Sequence, residues 1–360
     1  MSGDAITEYL RERIDGGEFP SAVYLVAEKG EIIFHEAIGY AVVEPEQIEA
    51  KKDTVYDLAS LTKSLVTGLL AARQIEQGKL HLNTPIGAFT LEQLVTHTTG
   101  LPAWRPLYIL AGDRENILPV IEGTEREKQA KVDYSDLGFI RLGLFISNSH
   151  LDSNFDEYVT VALGLKKTNF NPLTAGIVRR GVAASENGRG YERQMCEELG
   201  YSPPANVTGS QAFRNYQIWG EVHDGNAYFM GRVAGHAGLF STAEEVFRIA
   251  LQFLPRYTKL LNSETCQLFR TNFTRGMNED RSFSFQLAST QDSTAGTKMS
   301  PESFGHNGFT GTSLWIDPVR DRIFVLLTNR THNRQLPFAN INGVRRRFHD
   351  IAIESLETKK

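Results

Sequence analysis

The stretch DLASLTKSLVTGLL (residues 57–70) sets a serine and a lysine three positions apart at the head of an apolar-periodic run. Leu61, Leu65, Val66, Leu69 and Leu70 recur at helical spacing, so a helix is predicted from Ser60 to a stop at Gly78. Residues three apart on a helix share a face, which brings the Lys63 amine within hydrogen-bonding reach of the Ser60 hydroxyl. A serine near neutral pH needs such a base, and burial is expected to lower the Lys63 pKa toward the working range. The helix N-terminus also favours negative charge developing on an attacked carbonyl. Alone, SxxK is weak: it arises by chance in roughly every few hundred residues, and a helix cap with a solvated lysine explains it equally well.

Upstream, SAVYLVAEKGEIIFHEAIGYAVV (21–43) reads as two strands around the turn residues Glu28 to Glu31, after an amphipathic N-terminal helix carrying Ile6, Leu10 and Ile14. From about Leu80 to Trp219 the pattern is of short helices and long loops, including LEQLVTHTTGLP, SDLGFIRLGLFIS and FDEYVTVALGL, with no clear strand pair. The stretch from Gly188 to Asn215 is polar and rich in Gly and Pro, and is expected to be an extended loop over a site. Downstream, a helix at STAEEVFRIALQFL precedes β-rich runs at SFSFQLAS, TSLWIDP and DRIFVLLTN, and INGVRRRFHDIAIESL closes the chain as a helix. Strands at both ends around a helical middle imply a mixed α/β (α+β) fold. Its antiparallel sheet and flanking helices would come from residues 1–79 and 220–360, with a mainly helical domain (80–219) inserted.

The signatures GxSxG, HExxH, GxxxxGK[ST] and GxGxxG are absent, which removes several common enzyme classes. Two further pieces accompany SxxK. Tyr134-Ser135-Asp136 stands just before an apolar helix, where a phenol could relay protons; a buried tyrosine beside a capping Asp136 is the plainer reading. Gly305-His306-Asn307-Gly308 precedes a β-like run, where small residues would let a ligand approach a strand backbone, or would simply make a turn.

In this order the pieces resemble the serine β-lactamase-like and penicillin-binding-protein superfamily, in its class C β-lactamase, carboxypeptidase and esterase branch. The resemblance runs through DLASLTKSLVTGLL, LEQLVTHTTGLP, VDYSDLGFIRLG, VAGHAGLFSTAEEV and FGHNGFTGTSLWIDP. It implies that Ser60 forms an acyl-enzyme, that Lys63 and Tyr134 exchange protons with nucleophile and leaving group, and that the backbone N–H groups of Ser60 and Phe309 form the oxyanion hole. It also implies that Asp136, His306, Asn307 and Gly308 bind substrate. Two departures stand out. Asp136 replaces a usual Asn and brings a carboxylate near the lysine, where its charge would hold Lys63 protonated and shift the base role toward Tyr134, against the lowering by burial. His306 replaces a usual Lys, weakening the positive charge expected to hold a β-lactam or peptide carboxylate.

The segment GEVHDGNAYFMGRVAGHAGLFST is similar to a subgroup that includes an N-acetylmuramyl-L-alanine amidase. His223 and Asp224 are expected to make a structural hydrogen bond, to orient a loop over the site or to touch substrate, the structural reading being the plainer for His223, and His97 is expected to be structural. A metal held by His223, Asp224 and His236 needs a convergence that spacing does not supply, so no metal and no cofactor is expected.

With 360 residues, 41% hydrophobic and 22% charged, the chain can bury a large core, and Cys196 and Cys266 lack any ligand spacing and read as free thiols. A net charge of -5, with Arg345-Arg346-Arg347 as the longest basic run and read as one face of the last helix, makes nucleic acid a poor partner. No signal-like segment and no run of roughly 18 apolar residues is seen, so a cytoplasmic location without membrane contact is expected. The expected activity is hydrolysis of an amide or ester of small or peptide-like substrates, led by muropeptides and D-amino-acid amides. The rivals are a β-lactamase or D-Ala-D-Ala carboxypeptidase and, from another class, a ligand-binding or sensor protein on the same scaffold.

Overall fold

The computed structural model describes residues 3–127, 131–147, 150–203 and 213–358. Strands β1 (Ser21–Glu28) and β2 (Glu31–Val42) form the expected hairpin, and Lys29 and Gly30 at its turn have φ of 54° and 81°. Positive φ at both central residues gives the turn a twist that matches that of the flanking strands.

With β3 (Ile48–Glu49), β4 (Gln286–Leu287), β5 (Phe304–Asn307), β6 (Ser313–Asp317) and β7 (Arg322–Thr328), the hairpin makes a seven-stranded sheet in the order β4-β5-β6-β7-β1-β2-β3. All its pairings are antiparallel, and the chain ends meet at the centre, where Leu25 faces Val325. Only Gln286 and Leu287 of the β-rich run SFSFQLAS join the ladder.

Side chains alternate across a strand, and both faces of the central strands are covered. Val23, Leu25, Val325 and Leu327 point into a core shared with Leu61, Leu65, Leu69, Val246 and Ile249. Tyr24, Val26, Phe324 and Leu326 point the other way, into a core with Ile6, Leu10, Val344 and Phe348. The second core belongs to α1 (Asp4–Asp15) and the C-terminal helix Asn342–Thr358, and the central strands read as apolar runs because neither face meets water.

The nucleophile helix is irregular at its start. Residues 61 and 62 are helical, Lys63–Gly68 is a π-helical stretch, and α2 (Leu69–Glu76) continues it until Gly78 turns the chain with φ 68°. A π-bulge re-aims side chains at a local cost in regularity, and such bulges concentrate at functional sites.

The middle of the chain departs from expectation in two places. Short strand pairs Pro85–Ile86 with Phe89–Thr90, and Ala184–Asn187 with Gln217–Trp219, lie where no pair was expected. Their few residues show no period-2 pattern that sequence could reveal. The stretch expected as a loop contains the helix Gly190–Glu198, whose Glu192 and Cys196 are buried; residues 204–212 lie outside the described residues. The helix at Leu91–Val95 is fixed by a capping box between Thr90 and Gln93. Both cysteines are free and buried.

Candidate active site

Ser60 sits in the turn that enters the π-helical stretch. Its neighbour Ala59 has φ 47°, a left-handed conformation that costs a residue with a side chain energy and persists only where surroundings impose it. The buried Asp57 supplies that restraint: its Oδ1 accepts from Ala59 N–H (2.9 Å) and its Oδ2 from His223 N–H (2.7 Å). Burial pushes the Asp57 carboxyl up, and those two amides offset part of the cost.

Lys63 Nζ donates to Ser60 Oγ (2.9 Å) and to the backbone oxygen of His236 (3.3 Å), and lies 2.7 Å from Asp136 Oδ1. The side chain is fully buried. Burial pulls its pKa down, but the charge of Asp136, followed by Tyr134, outweighs that and leaves it above the ordinary lysine value. This corrects the expectation of a lowered pKa: residue 136 carries a negative charge instead of a neutral amide, so Lys63 is held as an ammonium.

Tyr134 is reached through Ser135, whose N–H donates to His97 Nδ1 (3.0 Å) and whose hydroxyl donates to Pro102 O (2.7 Å). His97 packs 4.5 Å from the Tyr134 ring and 5.0 Å from that of Phe139, the structural role expected of it. The phenol ring lies between two cations, Lys63 Nζ at 4.9 Å and the Arg281 guanidinium at 5.5 Å from its centroid.

On the opposite wall, His306 donates from Nδ1 to Asn307 O (2.9 Å), which leaves Nε2 buried and without a partner among the described residues. Burial, with Lys63 and Arg281 adding to it, holds His306 well below the ordinary histidine pKa, so the ring is neutral. The Asn307 amide is engaged by the Thr294 hydroxyl at 2.9–3.0 Å. The glycines of this motif are needed for packing, and Gly308 also lines the cavity that Ser60 and Tyr134 share. A Cβ on Gly308 would meet Thr312 Oγ1 at 2.0 Å and Leu58 O at 2.5 Å, and one on Gly305 would meet the Trp315 ring at 2.2 Å. The backbone N–H groups of Ser60 and Phe309 have no hydrogen-bond partner among the described residues, as an oxyanion hole requires.

His223 and Asp224 do not pair with each other. His223 Nε2 bonds Glu186 Oε2 (2.7 Å) and the ring stacks on Phe309 at 5.4 Å, whereas Asp224 Oδ1 accepts from Ala227 N–H (2.7 Å) and meets His236 Nε2 (2.9 Å). The metal-capable grouping is therefore Asp136, Asp224 and His236, without His223, and the Lys63 ammonium already neutralises Asp136 there.

Positive charge comes from residues that sequence reading did not assign to the site. A cavity of about 510 Å³ above Ser60 and Tyr134 is lined by Arg281, Arg330 and Arg345 and by no carboxylate. Arg345, read as part of a helix face, instead turns inward and donates to Gly308 O (2.8 Å) and Thr312 O (3.0 Å). Arg281 is only 5% exposed, its Nε is 2.6 Å from Glu279 Oε1, and its Nη1 has no hydrogen-bond partner among the described residues.

The model of the family described as Beta-lactamase matches residues 6–344. The chain is 30% identical over 371 residues to an Escherichia coli K12 protein named "Putative D-alanyl-D-alanine carboxypeptidase", covering 90% of this chain and 81% of that one. Among solved structures, the octameric penicillin-binding protein homologue from Pyrococcus abyssi superposes with TM-score 0.72 at 14% identity, covering 98% of this chain and 77% of the other. The D-amino acid amidase from Ochrobactrum anthropi SV3 does so with TM-score 0.69 at 15% identity, covering 99% of each. The first relative and the family match carry the assignment, and the two structures show the shared fold. The chain belongs to the beta-lactamase family of serine hydrolases.

Proposed function

We propose that this chain is a serine amidase or peptidase working through an acyl-enzyme, on an amide whose leaving amine carries a carboxylate, as in D-amino-acid peptides and muropeptide fragments. Ser60 Oγ attacks the carbonyl carbon, and its proton passes to the Tyr134 oxygen as that hydroxyl gives its own proton to the amide nitrogen, because Lys63 as an ammonium has no lone pair to accept it. The Lys63 ammonium steadies the Ser60 oxygen, and the Ser60 and Phe309 N–H groups receive the carbonyl oxygen as it becomes negative. The C–N bond then breaks, the nitrogen leaving as the amine with the proton relayed through Tyr134, which is again a neutral phenol. Water then attacks the ester, giving the acid and free Ser60.

The observation that carries the substrate class is Arg281, a buried guanidinium with an unpartnered Nη1 beside the Tyr134 ring, in the lining of the cavity that it shares with Ser60 and Tyr134. It supplies the charge that the neutral His306 cannot. A carboxypeptidase-like substrate also agrees with the name of the E. coli relative.

The test is intact mass after a serine-directed fluorophosphonate, with turnover of N-acetyl-D-Ala-D-Ala and of p-nitrophenyl acetate, for the native enzyme, Ser60→Ala and Arg281→Ala. One adduct and both activities vanish in Ser60→Ala, and Arg281→Ala lowers kcat/KM for the peptide relative to the ester at least tenfold. Adduct formation that survives Ser60→Ala, or an unchanged peptide-to-ester ratio in Arg281→Ala, rejects the reading.

A further inference from the structure

A second cavity, of about 190 Å³, opens on the other side of Ser60 and has the opposite character. It shares Ser60, Tyr134, Tyr191 and Phe309 with the arginine-lined cavity, but its charged lining residues are Asp136, Glu192 and Asp224, with no lysine or arginine. Trp104, Tyr134, Tyr191 and Phe309 give it aromatic walls.

The three carboxylates are not equivalent. Asp136 is neutralised by Lys63. Glu192 is tied to Arg189, to the Tyr108 hydroxyl (2.9 Å) and to Gly225 N–H (2.7 Å). Asp224 makes its hydrogen bonds among the described residues through Oδ1 alone, and its side chain keeps 20% exposure, so Oδ2 is left to the cavity. Burial raises the Asp224 pKa, but His236, the Ala227 N–H and Arg189 outweigh it and hold the group well below the usual carboxylate range. An anion held so firmly is a poor proton acceptor for water and a good fixed charge.

A fixed carboxylate oxygen within aromatic walls is the chemistry that binds an ammonium group. The volume fits about one amino-acid side chain and backbone unit. The third cavity at Tyr134, lined by Arg105, Arg126 and Glu127 among others, does not include Ser60, so it lies off the bond to be cut.

We infer that the acyl side of the site selects a single aminoacyl residue with a free α-ammonium, held by Asp224 against Trp104 and Tyr191, so that the preferred substrate is a dipeptide-sized zwitterion spanning the acidic and arginine-lined cavities. The inference rests on the proposed amidase function and narrows its substrate. Asp224 is a specificity residue: it faces the acyl group and takes no part in bond making or breaking.

The test compares kcat/KM for D-Ala-D-Ala, for D-lactyl-D-Ala, in which a hydroxyl replaces the amine, and for N-acetyl-D-Ala-D-Ala, with the L,L series alongside. The native enzyme is expected to prefer the free dipeptide over both neutral analogues at least tenfold in one of the two series. Asp224→Asn keeps an acceptor for the Ala227 N–H, and is expected to bring the dipeptide-to-lactyl ratio to near one; Asp224→Glu should restore part of it. A native ratio near one, or an Asp224→Asn enzyme that retains the native ratio, overturns the inference while turnover of the neutral amides leaves the amidase reading standing. If Ser60 is acylated by esters yet no amide in any series is cleaved, the amidase reading and this inference fall together.

Discussion

Fully buried Lys63 and partly exposed Asp136 form an ion pair at 2.7 Å beside the nucleophile, and the same ammonium reaches Ser60 Oγ at 2.9 Å. The carboxylate therefore sets the protonation state of the group that touches the attacking oxygen. Its replacement by Asn leaves burial as the dominant influence on Lys63, so the lysine pKa falls. Activity that needs the ammonium is lost as pH rises through that pKa. Asp136→Asn is expected to move the alkaline limb of the kcat/KM profile down by about one unit or more, since one unit corresponds to about 1.4 kcal/mol. A limb that stays in place in a folded Asp136→Asn enzyme shows that Lys63 does not act as an ammonium.

The sign for stability is the same. Because the folded-state Lys63 pKa is raised, its contribution is complete below the ordinary lysine value of 10.5 and is lost as pH climbs through the raised value. Denaturant midpoints measured from pH 9 to 11.5 should fall at the alkaline end in the native protein, and less in Asp136→Asn.

Acid acts through the histidines. Burial holds His97 and His306 well below 6.5, His332 at about 4 and His349 at about 3. The unfolded chain binds protons at these sites where the native state does not, so their contribution is present above pH 6.5 and is lost as pH falls below it. Each such group contributes a slope of at most about 1.4 kcal/mol per pH unit. Urea midpoints should drop steeply between pH 6.5 and 4, and His349→Gln, at a ring whose Nδ1 donates to Thr294 O, should flatten that slope. A slope unchanged by His349→Gln removes that residue from the account.

Gly308→Ala tests the packing role of the strand motif. The added methyl meets Thr312 Oγ1 at 2.0 Å and the Leu58 backbone oxygen at 2.5 Å, and the second of these cannot rotate away. Overpacking of this kind costs about 1–3 kcal/mol and here separates β5 from the turn carrying Ser60. Thermal unfolding should shift down and ester turnover should fall together. A stable, active Gly308→Ala enzyme places the need for glycine elsewhere.

The local signals were legible where periodicity and spacing act over short range. The hairpin at Lys29-Gly30, the apolar run after Ser60 and the Ser60–Lys63 pairing all follow from turn chemistry or the helical repeat, and the structure has them. What stayed hidden depends on contacts between distant segments. Arg281 and Arg345 are ordinary in sequence and become part of the site only when their elements converge on Tyr134 and Gly308. The sign of the Lys63 shift was open in the sequence, where burial and a carboxylate at 136 pull in opposite directions, and it is decided by the approach of Asp136 to 2.7 Å, a tertiary distance. Glu186, far from any recognised motif, gave no signal at all, yet it fixes His223.

That last contact yields a prediction about catalysis. The buried Glu186–His223 pair, at 2.7 Å, holds an imidazole stacked on Phe309 at an interplanar angle of 26°. Phe309 is also flanked by Tyr191 at 4.7 Å and by the Arg330 guanidinium, whose Nε donates to the Phe309 carbonyl at 2.7 Å. Phe309 is thereby held in place while its N–H, the proposed oxyanion donor, keeps no partner among the described residues, and such a donor is worth most when it needs no reorganisation during the reaction. His223→Ala removes the stacking partner but none of the groups that touch the reacting atoms, so acyl transfer should slow with little change in ground-state binding. Loss of a complete oxyanion donor costs about 2.7–4 kcal/mol, and loosening one should cost less, so kcat is expected to fall about tenfold with KM nearly constant. His223→Gln, which can still bond Glu186, should recover part of the loss. A KM that rises while kcat holds would mean that His223 acts on substrate directly and not through Phe309.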